Sequence, residues 1–212
     1  MISIVMAYYN RREQLNYTLK TIAQSQVKDL EIVIVNDFSN AENDLEDLPS
    51  CWPELNFNII NMRDHYTEKS YCNPCVPYNV GFRASKGDQI IIQNPECCHI
   101  GDVLNYVKQN LVDGTYLSFH TYACTKQDAR ILQSTGDCPM FSHKKARWYN
   151  HETERPVAFH FCNAITRNDL IKVNGFDENF DADKSLEDPD MGSRLEMAGY
   201  GNKFLLDINN QV

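Results

Sequence analysis

The sequence predicts an α/β fold, a mostly parallel central sheet flanked by helices, and three observations carry that prediction. Short, largely β-branched runs recur along the chain at residues 2–6 (ISIVM), 30–35 (LEIVIV) and 90–92 (III). Runs that are apolar at nearly every position suit strands buried on both faces, as in a parallel sheet. Between the first two, Leu15, Leu19, Ile22 and Ala23 fall at i, i+4, i+7 and i+8, one face of an amphipathic helix. Each run then ends in polar residues: Tyr9-Asn10-Arg11, Asn36-Asp37-Phe38-Ser39 and Gln93-Asn94-Pro95-Glu96. Residues so placed collect at the carboxyl edge of a parallel sheet, where open α/β folds bind ligands.

The first strand, helix and second strand form a right-handed βαβ unit. Both strands end at one edge, so Tyr9, Asn10, Arg11 and Asp37 should lie near one another. Asn10 with Glu13 three residues on reads as an N-x-x-E capping box. Residues 41–53 are acidic and read as solvated loop, and residues 57–62 as a third strand. Residues 63–75 mix charge, aromatics and thiols without period, which reads as a loop over the sheet edge. Pro77 opens a helix over residues 77–85, where its missing N–H is harmless. In the strand that follows, Pro95 cannot donate to a ladder, so pairing ends there and Glu96 is delivered to the edge.

A helix over residues 102–111 turns Val103, Leu104 and Val107 inward, and residues 116–123 (YLSFHTYA) alternate as a strand. Residues 138–156 (CPMFSHKKARWYNHETERP) are polar, aromatic and basic with neither period. A loop this long in a compact domain is usually functional or mobile. Residues 158–166 resume a strand, and Asn168-Asp169 cap a short helix over 170–174 closed by Gly175. A helix over 185–198 opens with Leu186-Glu187-Asp188-Pro189-Asp190 and ends at Gly199, before a last strand at 203–206. Acids at a helix N-terminus complement its dipole whatever else they do.

Composition bounds the function. At 212 residues the chain is long enough for a sizeable core, with no repeat or linker dividing it. A net charge of -9 argues against a nucleic-acid groove. It fits a site that holds anionic phosphates through a metal or local dipoles. No run approaches ~18 apolar residues, so no transmembrane segment is expected. The start, MISIVMA, is too short and uncharged for a signal peptide. The expectation is a cytoplasmic chain, one that could sit membrane-peripherally within a larger assembly. For its eight cysteines, reduced thiols are then the default. Cys72-Asn73-Pro74-Cys75 followed by Cys97-Cys98-His99 has the look of zinc spacing, yet the second group lacks the paired x-x spacing. Buried thiols are the better expectation.

Five stretches together resemble the family 2 nucleotide-sugar glycosyltransferases of the GT-A fold. ISIVMAYYNRREQLNYTLKTI is similar to the family's opening strand and helix, and VNDFS to its V-D-D-x-S. NVGFRASKGDQIIIQNPE resembles the segment that leads into the D-x-D motif. CNAITRNDLIKVNGFDENF resembles the stretch ending in G-F-D-E, and LEDPDMGSRL the late E-D motif. The resemblance covers almost the whole chain. It implies a single GT-A domain over residues 1–212, with a nucleotide-binding half of about residues 1–100 and an acceptor half of about 101–212.

The resemblance also implies roles. Glu96 would bind a divalent cation, Mn2+ or Mg2+. Asp37 would contact the donor's base, commonly uracil, so that UDP is the expected nucleotide. Ala7, Tyr9, Asn10, Arg11, Asn79 and Asn94 would hold the rest of the nucleotide-sugar donor. Asp188 would be the general base, with Glu187 on the acceptor or the donor sugar, in an inverting attack. Trp148, His151 and His160 are candidates for the side of a glycan, polysaccharide or glycolipid acceptor, because aromatic faces stack on sugar rings. Their competing roles are structural, Trp148 as a core anchor and His160 as a satisfied core residue.

Three departures stand out. Asn94-Pro95-Glu96 replaces D-x-D and keeps only the last carboxylate. Tyr78 stands where an arginine often precedes Asn79, and no histidine follows Asp188. Two other readings share the layout. A sugar-nucleotide pyrophosphorylase needs a glycine-rich basic loop after the first strand, and AYYNRRE has no glycine. A catalytically degenerate sugar-nucleotide-binding module is the other, given the altered D-x-D.

Overall fold

The structure, a computed structural model, describes residues 1–135, 147–182 and 186–205. The apolar runs form β1 (Ile2–Tyr8), β2 (Leu30–Asn36) and β3 (Phe57–Asn61), with α1 (Arg12–Ala23) crossing from the first to the second. After α3 (Cys75–Ala84) comes β4 (Gln89–Gln93), then α4 (Val103–Asn110) and β5 (Thr115–Phe119). β8 (Cys162–Thr166), α6 (Arg167–Lys172), α7 (Glu187–Met197) and β9 (Gly201–Leu205) complete the main body. Seven strands pair in the order β3-β2-β1-β4-β8-β5-β9. Every pairing is parallel except those of β8, which runs antiparallel to both β4 and β5.

Alternation along the central strands fills two layers. Ile4, Met6, Ile32, Ile34 and Ile91 face α1 and α4, packing on Leu15, Leu19, Leu104 and Val107. Val5, Val33, Ile90 and Ile92 face the other way, against Tyr78 and Phe82 of α3, Leu170 of α6 and Leu195 of α7. α3 lies so close to the sheet that a Cβ at Gly81 would overlap the Val5 side chain. That contact explains the glycine in NVGF without any need for unusual backbone.

Several local expectations are corrected. The N-cap of α1 is Arg11, with no side-chain cap, and Asn10 is left-handed at φ 49°. Its Oδ1 accepts the Asn40 N–H instead, and the first helical N–H, at Arg12, donates to Asn43 Oδ1 at 3.1 Å. Residues 41–53 are not merely solvated. They hold a 3-10 turn (Ala41–Asn43) and a short helix, α2 (Leu48–Cys51), with Leu45 and Leu48 fully buried. α3 starts two residues before Pro77. The alternating stretch at 116–123 is split between β5 and β6 (Thr121–Ala123), which belong to different sheets.

α5 (Lys126–Thr135) forms where the sequence predicts no helix. Of the expected loop at 138–156, residues 138–146 lie outside the described residues. The remainder is ordered as β7 (Arg147–Asn150), which pairs antiparallel with β6, and a bridge from His151 to Arg155. α6 is capped by Thr166, whose hydroxyl accepts the Asp169 N–H, and not by Asn168-Asp169. Ser185 and Leu206, expected at element ends, lie outside the described residues. Among the described residues no helix is long and apolar enough to cross a membrane.

Candidate active site

The strand order places the ligand edge. From β1 the chain winds outward through β2 and β3, then returns to the other side of β1 for β4. β1 is therefore the switch point, and the loops after β1 and β4 lie at the carboxyl edge where open α/β sheets bind ligands. The two loops meet there: Arg11 Nε lies 3.4 Å from Glu96 Oε1. Ala7 sits inside β1, paired with Val35, so the loop proper begins after Tyr8. Tyr9 is half exposed at the same edge.

Asp37, just past β2, is 5% exposed and already bonded on both oxygens. Tyr71 donates its hydroxyl to Oδ1 at 2.6 Å, and Lys69 pairs with Oδ2 at 2.5 Å. Lys69 also stands 5.1 Å over the rings of both Tyr9 and Tyr71. Burial first, and then the Asp37 carboxylate, push the Tyr71 phenol up. Lys69 and Tyr71 come from the aperiodic loop that the sequence placed over the sheet edge. Nothing in its pattern singled them out.

A continuous set of contacts runs from β4 to the start of α7. Tyr78 is buried and donates its hydroxyl to Gln93 O at 3.0 Å and to Asn94 Oδ1 at 2.9 Å. Its ring meets the edge of His160 at 5.0 Å. The backbone N–H of His160 donates to Asp188 Oδ1 at 3.1 Å, and its ring Nδ1 is bonded to the same oxygen. Because β8 is antiparallel, its beginning lies at the carboxyl end of β4, and Asn94 N–H donates to Phe161 O. That reversal carries His160 to the edge where the parallel strands end. Burial raises the Tyr78 phenol, and the Glu96 and Asp188 carboxylates raise it further.

Glu187 and Asp188 sit in the first turn of α7, with Asp190 following. Glu187 is 7% exposed, and its Oε2 is buried without a hydrogen-bond partner. An orphaned buried carboxylate oxygen is costly unless a ligand group completes it. His160, Glu187 and Asp188 bring ligand atoms within 4.8 Å of one another, the one such group of three or more among the described residues.

The remaining candidates are placed differently. Asn79 donates both amide hydrogens within the protein, to Phe176 O at 2.8 Å and Glu178 Oε1 at 2.9 Å, and accepts the Phe176 N–H. Its side chain thus ties α3 to the G-F-D-E segment. Trp148 anchors the small β6–β7 sheet, with ring centroids 4.5 Å from His151 and 5.3 Å from Tyr122. His151 Nδ1 accepts the N–H groups of Thr153 and Glu154, so it closes its own turn. β7 is nevertheless tied to the site, because Asn150 exchanges two hydrogen bonds with Phe159, the residue before His160.

Among the described residues the cysteines form no cluster that could hold a zinc ion. Cys75 is buried within α3, its thiol pushed up to about 12 by burial and then by Glu187. His99 is bonded to Gln93 Oε1 at 2.9 Å, burial holding its imidazole down at about 4, while Cys72 is exposed.

The sequence matches the family described as Glycosyl transferase family 2 over residues 3–173. Among curated proteins none matches. The fold is similar to the mannosyltransferase PcManGT from Pyrobaculum calidifontis, solved with GDP-Man and Mn2+, at 16% identity and a TM-score of 0.65, covering 98% of this chain and 55% of that one. It is also similar to S. aureus TarS 1-349 in complex with UDP-GlcNAc, at 14% identity and 0.61, covering 98% and 56%. GalNAc-T7 with UDP, GalNAc and Mn2+ matches at 14% and 0.62, covering 97% and 41%. These likenesses show a GT-A fold, and the chain spans about half the length of each of these structures or less.

Proposed function

Because the chain belongs to glycosyl transferase family 2, we propose that it moves a sugar from a nucleotide-diphosphate donor, UDP-linked in our reading, to a hydroxyl of a glycan or related acceptor, with inversion. The observation that carries this reading is the acid pair opening α7, a buried Glu187 with one unpartnered oxygen and a partly buried Asp188, joined through His160 and Tyr78 to the end of β4. The loops after β1, β2 and β4 hold the donor through Tyr9, Asn10, Arg11, Asp37 and Asn94. Asp188 removes the acceptor's proton as its oxygen attacks the anomeric carbon. Glu187 Oε2 accepts a sugar hydroxyl. The acceptor approaches over β7 and the segment before His160, with Trp148 supporting that surface from within.

A divalent cation fits the donor set in one way. Glu96 offers a partly exposed carboxylate paired only loosely with Arg11, whereas Asn94 turns its Oδ1 to Tyr78. Mg2+ and Mn2+ sites commonly combine one or two carboxylates with substrate phosphates. In this reading Glu96 holds the cation, which supplies charge neutralisation of the diphosphate when bound. The His160–Glu187–Asp188 group is the competing donor set, but its histidine and Asp188 are already bonded to each other.

The test is thermal shift with UDP-GlcNAc and GDP-Man, in Mn2+ and in EDTA. Ligand at a hundred times its dissociation constant stabilises by about 2.7 kcal/mol. The shift should be larger with Mn2+, and Glu96→Ala should abolish that increment while keeping the fold. Equal shifts in metal and EDTA would take the cation away from Glu96. A non-catalytic nucleotide-sugar-binding module is favoured by one observation, the neutral Asn94 engaged by Tyr78. It forecasts binding without turnover.

A further inference from the structure

We propose that His160 is a positioning residue that selects which oxygen of Asp188 receives the acceptor's proton, an inference that rests on the transferase reading above. Two donors from one residue converge on Asp188 Oδ1, the His160 backbone N–H at 3.1 Å and its ring Nδ1. An ionised carboxylate only accepts, so this contact requires the proton on Nδ1. Left alone, a carboxylate exchanges its two oxygens by rotation. Two donors on Oδ1 oppose that rotation and present Oδ2. During transfer the hydroxyl oxygen bonds to the anomeric carbon while its proton passes to Oδ2. The bond from that carbon to the diphosphate oxygen breaks, and its electron pair leaves with the nucleoside diphosphate.

The imidazole is itself held in place. It is 7% exposed and meets Tyr78 and Phe176 edge-on at 5.0 and 5.4 Å. Its backbone is fixed on either side, by the Asn150–Phe159 pair and by Phe161 O accepting the Asn94 N–H. Asp188 also has Glu187 beside it in the same turn, and two donors from His160 offset the repulsion between these carboxylates. The late E-D motif gave no sign of this partner, which lies 28 residues earlier in the chain.

The experiment compares His160→Ala, His160→Asn and Asp188→Asn by nucleotide release from UDP-GlcNAc and from GDP-Man, with melting temperature as the fold control. His160→Ala should lower kcat by about 10–100-fold, the usual loss when a supporting contact to a functional group is removed, with the donor KM within about threefold of wild type. Asparagine places an N–H near the Nδ1 position, so His160→Asn should recover most of the loss. His160→Ala added to Asp188→Asn should cost nothing more. Turnover of His160→Ala close to wild type, or a His160→Asn variant as impaired as the alanine, would overturn the proposal. If Asp188→Asn itself turns over normally, the base assignment fails instead.

Discussion

Replacing Asp188 by asparagine is expected to lower sugar transfer by roughly 10²–10⁴ while donor binding and the fold stay in place. Asparagine is nearly isosteric, and its carbonyl oxygen can still accept both donors of His160. What it loses is the capacity to take a proton. Pro189 and the α7 backbone hold the side chain on a rigid element, so geometry should survive the change. If the acids of this turn only complemented the helix dipole, each would contribute about 0.3–1 kcal/mol. Asp188→Asn would then show a modest stability change and near-normal turnover. Calorimetry of donor binding beside turnover separates the two, and Glu187 would be tested next if Asp188→Asn stayed active.

The second large effect concerns Asp37 and the imide N–H of uracil. Lys69 and Tyr71 occupy one site on each carboxylate oxygen, yet a carboxylate offers about four acceptor positions. Acceptor positions therefore remain for a donor from the base. A hydrogen bond to a charged group contributes about 1.5–3 kcal/mol, which is roughly ten- to a hundredfold in affinity. The wild type should therefore prefer UDP over 3-methyl-UDP, which lacks that proton, by such a factor. Asp37→Ala should lose the preference and, by stranding Tyr71 and Lys69, lose stability as well. Equal affinity of the wild type for the two nucleotides would leave Asp37 as an organiser of the 69–71 segment alone.

Much of this architecture is legible in the sequence because it is local or periodic. The β1-α1-β2 unit follows from LEIVIV-type runs and the spacing of Leu15, Leu19 and Ile22, and β4 from three isoleucines stopped by Pro95. The edge at which Arg11, Asp37 and Glu96 collect follows from where those strands end. The direction of β8 is different, since CNAIT reads alike in a parallel or an antiparallel pairing. That direction decides whether His160 reaches Asp188. Asn10 and Glu13 match a capping box, but Asn40, Asn43 and Ser39 from the next loop claim that corner through long-range hydrogen bonds. Lys69 and Tyr71 share this character, being recruited to Asp37 by tertiary contacts that leave no period. The β6–β7 pair is hidden for a further reason, because its strands are short and lie on either side of α5.

The identity of the products tests the central claim most directly. UDP-GlcNAc and GDP-Man, each incubated with the chain, Mn2+ and simple glycosides as acceptors, can be followed by phosphorus NMR. Transfer through the site described predicts that nucleoside diphosphate accumulates with at least one donor, and that Asp188→Asn suppresses it. Nucleoside triphosphate and sugar 1-phosphate formed on adding pyrophosphate would contradict the account, as would a donor that binds and is recovered unchanged.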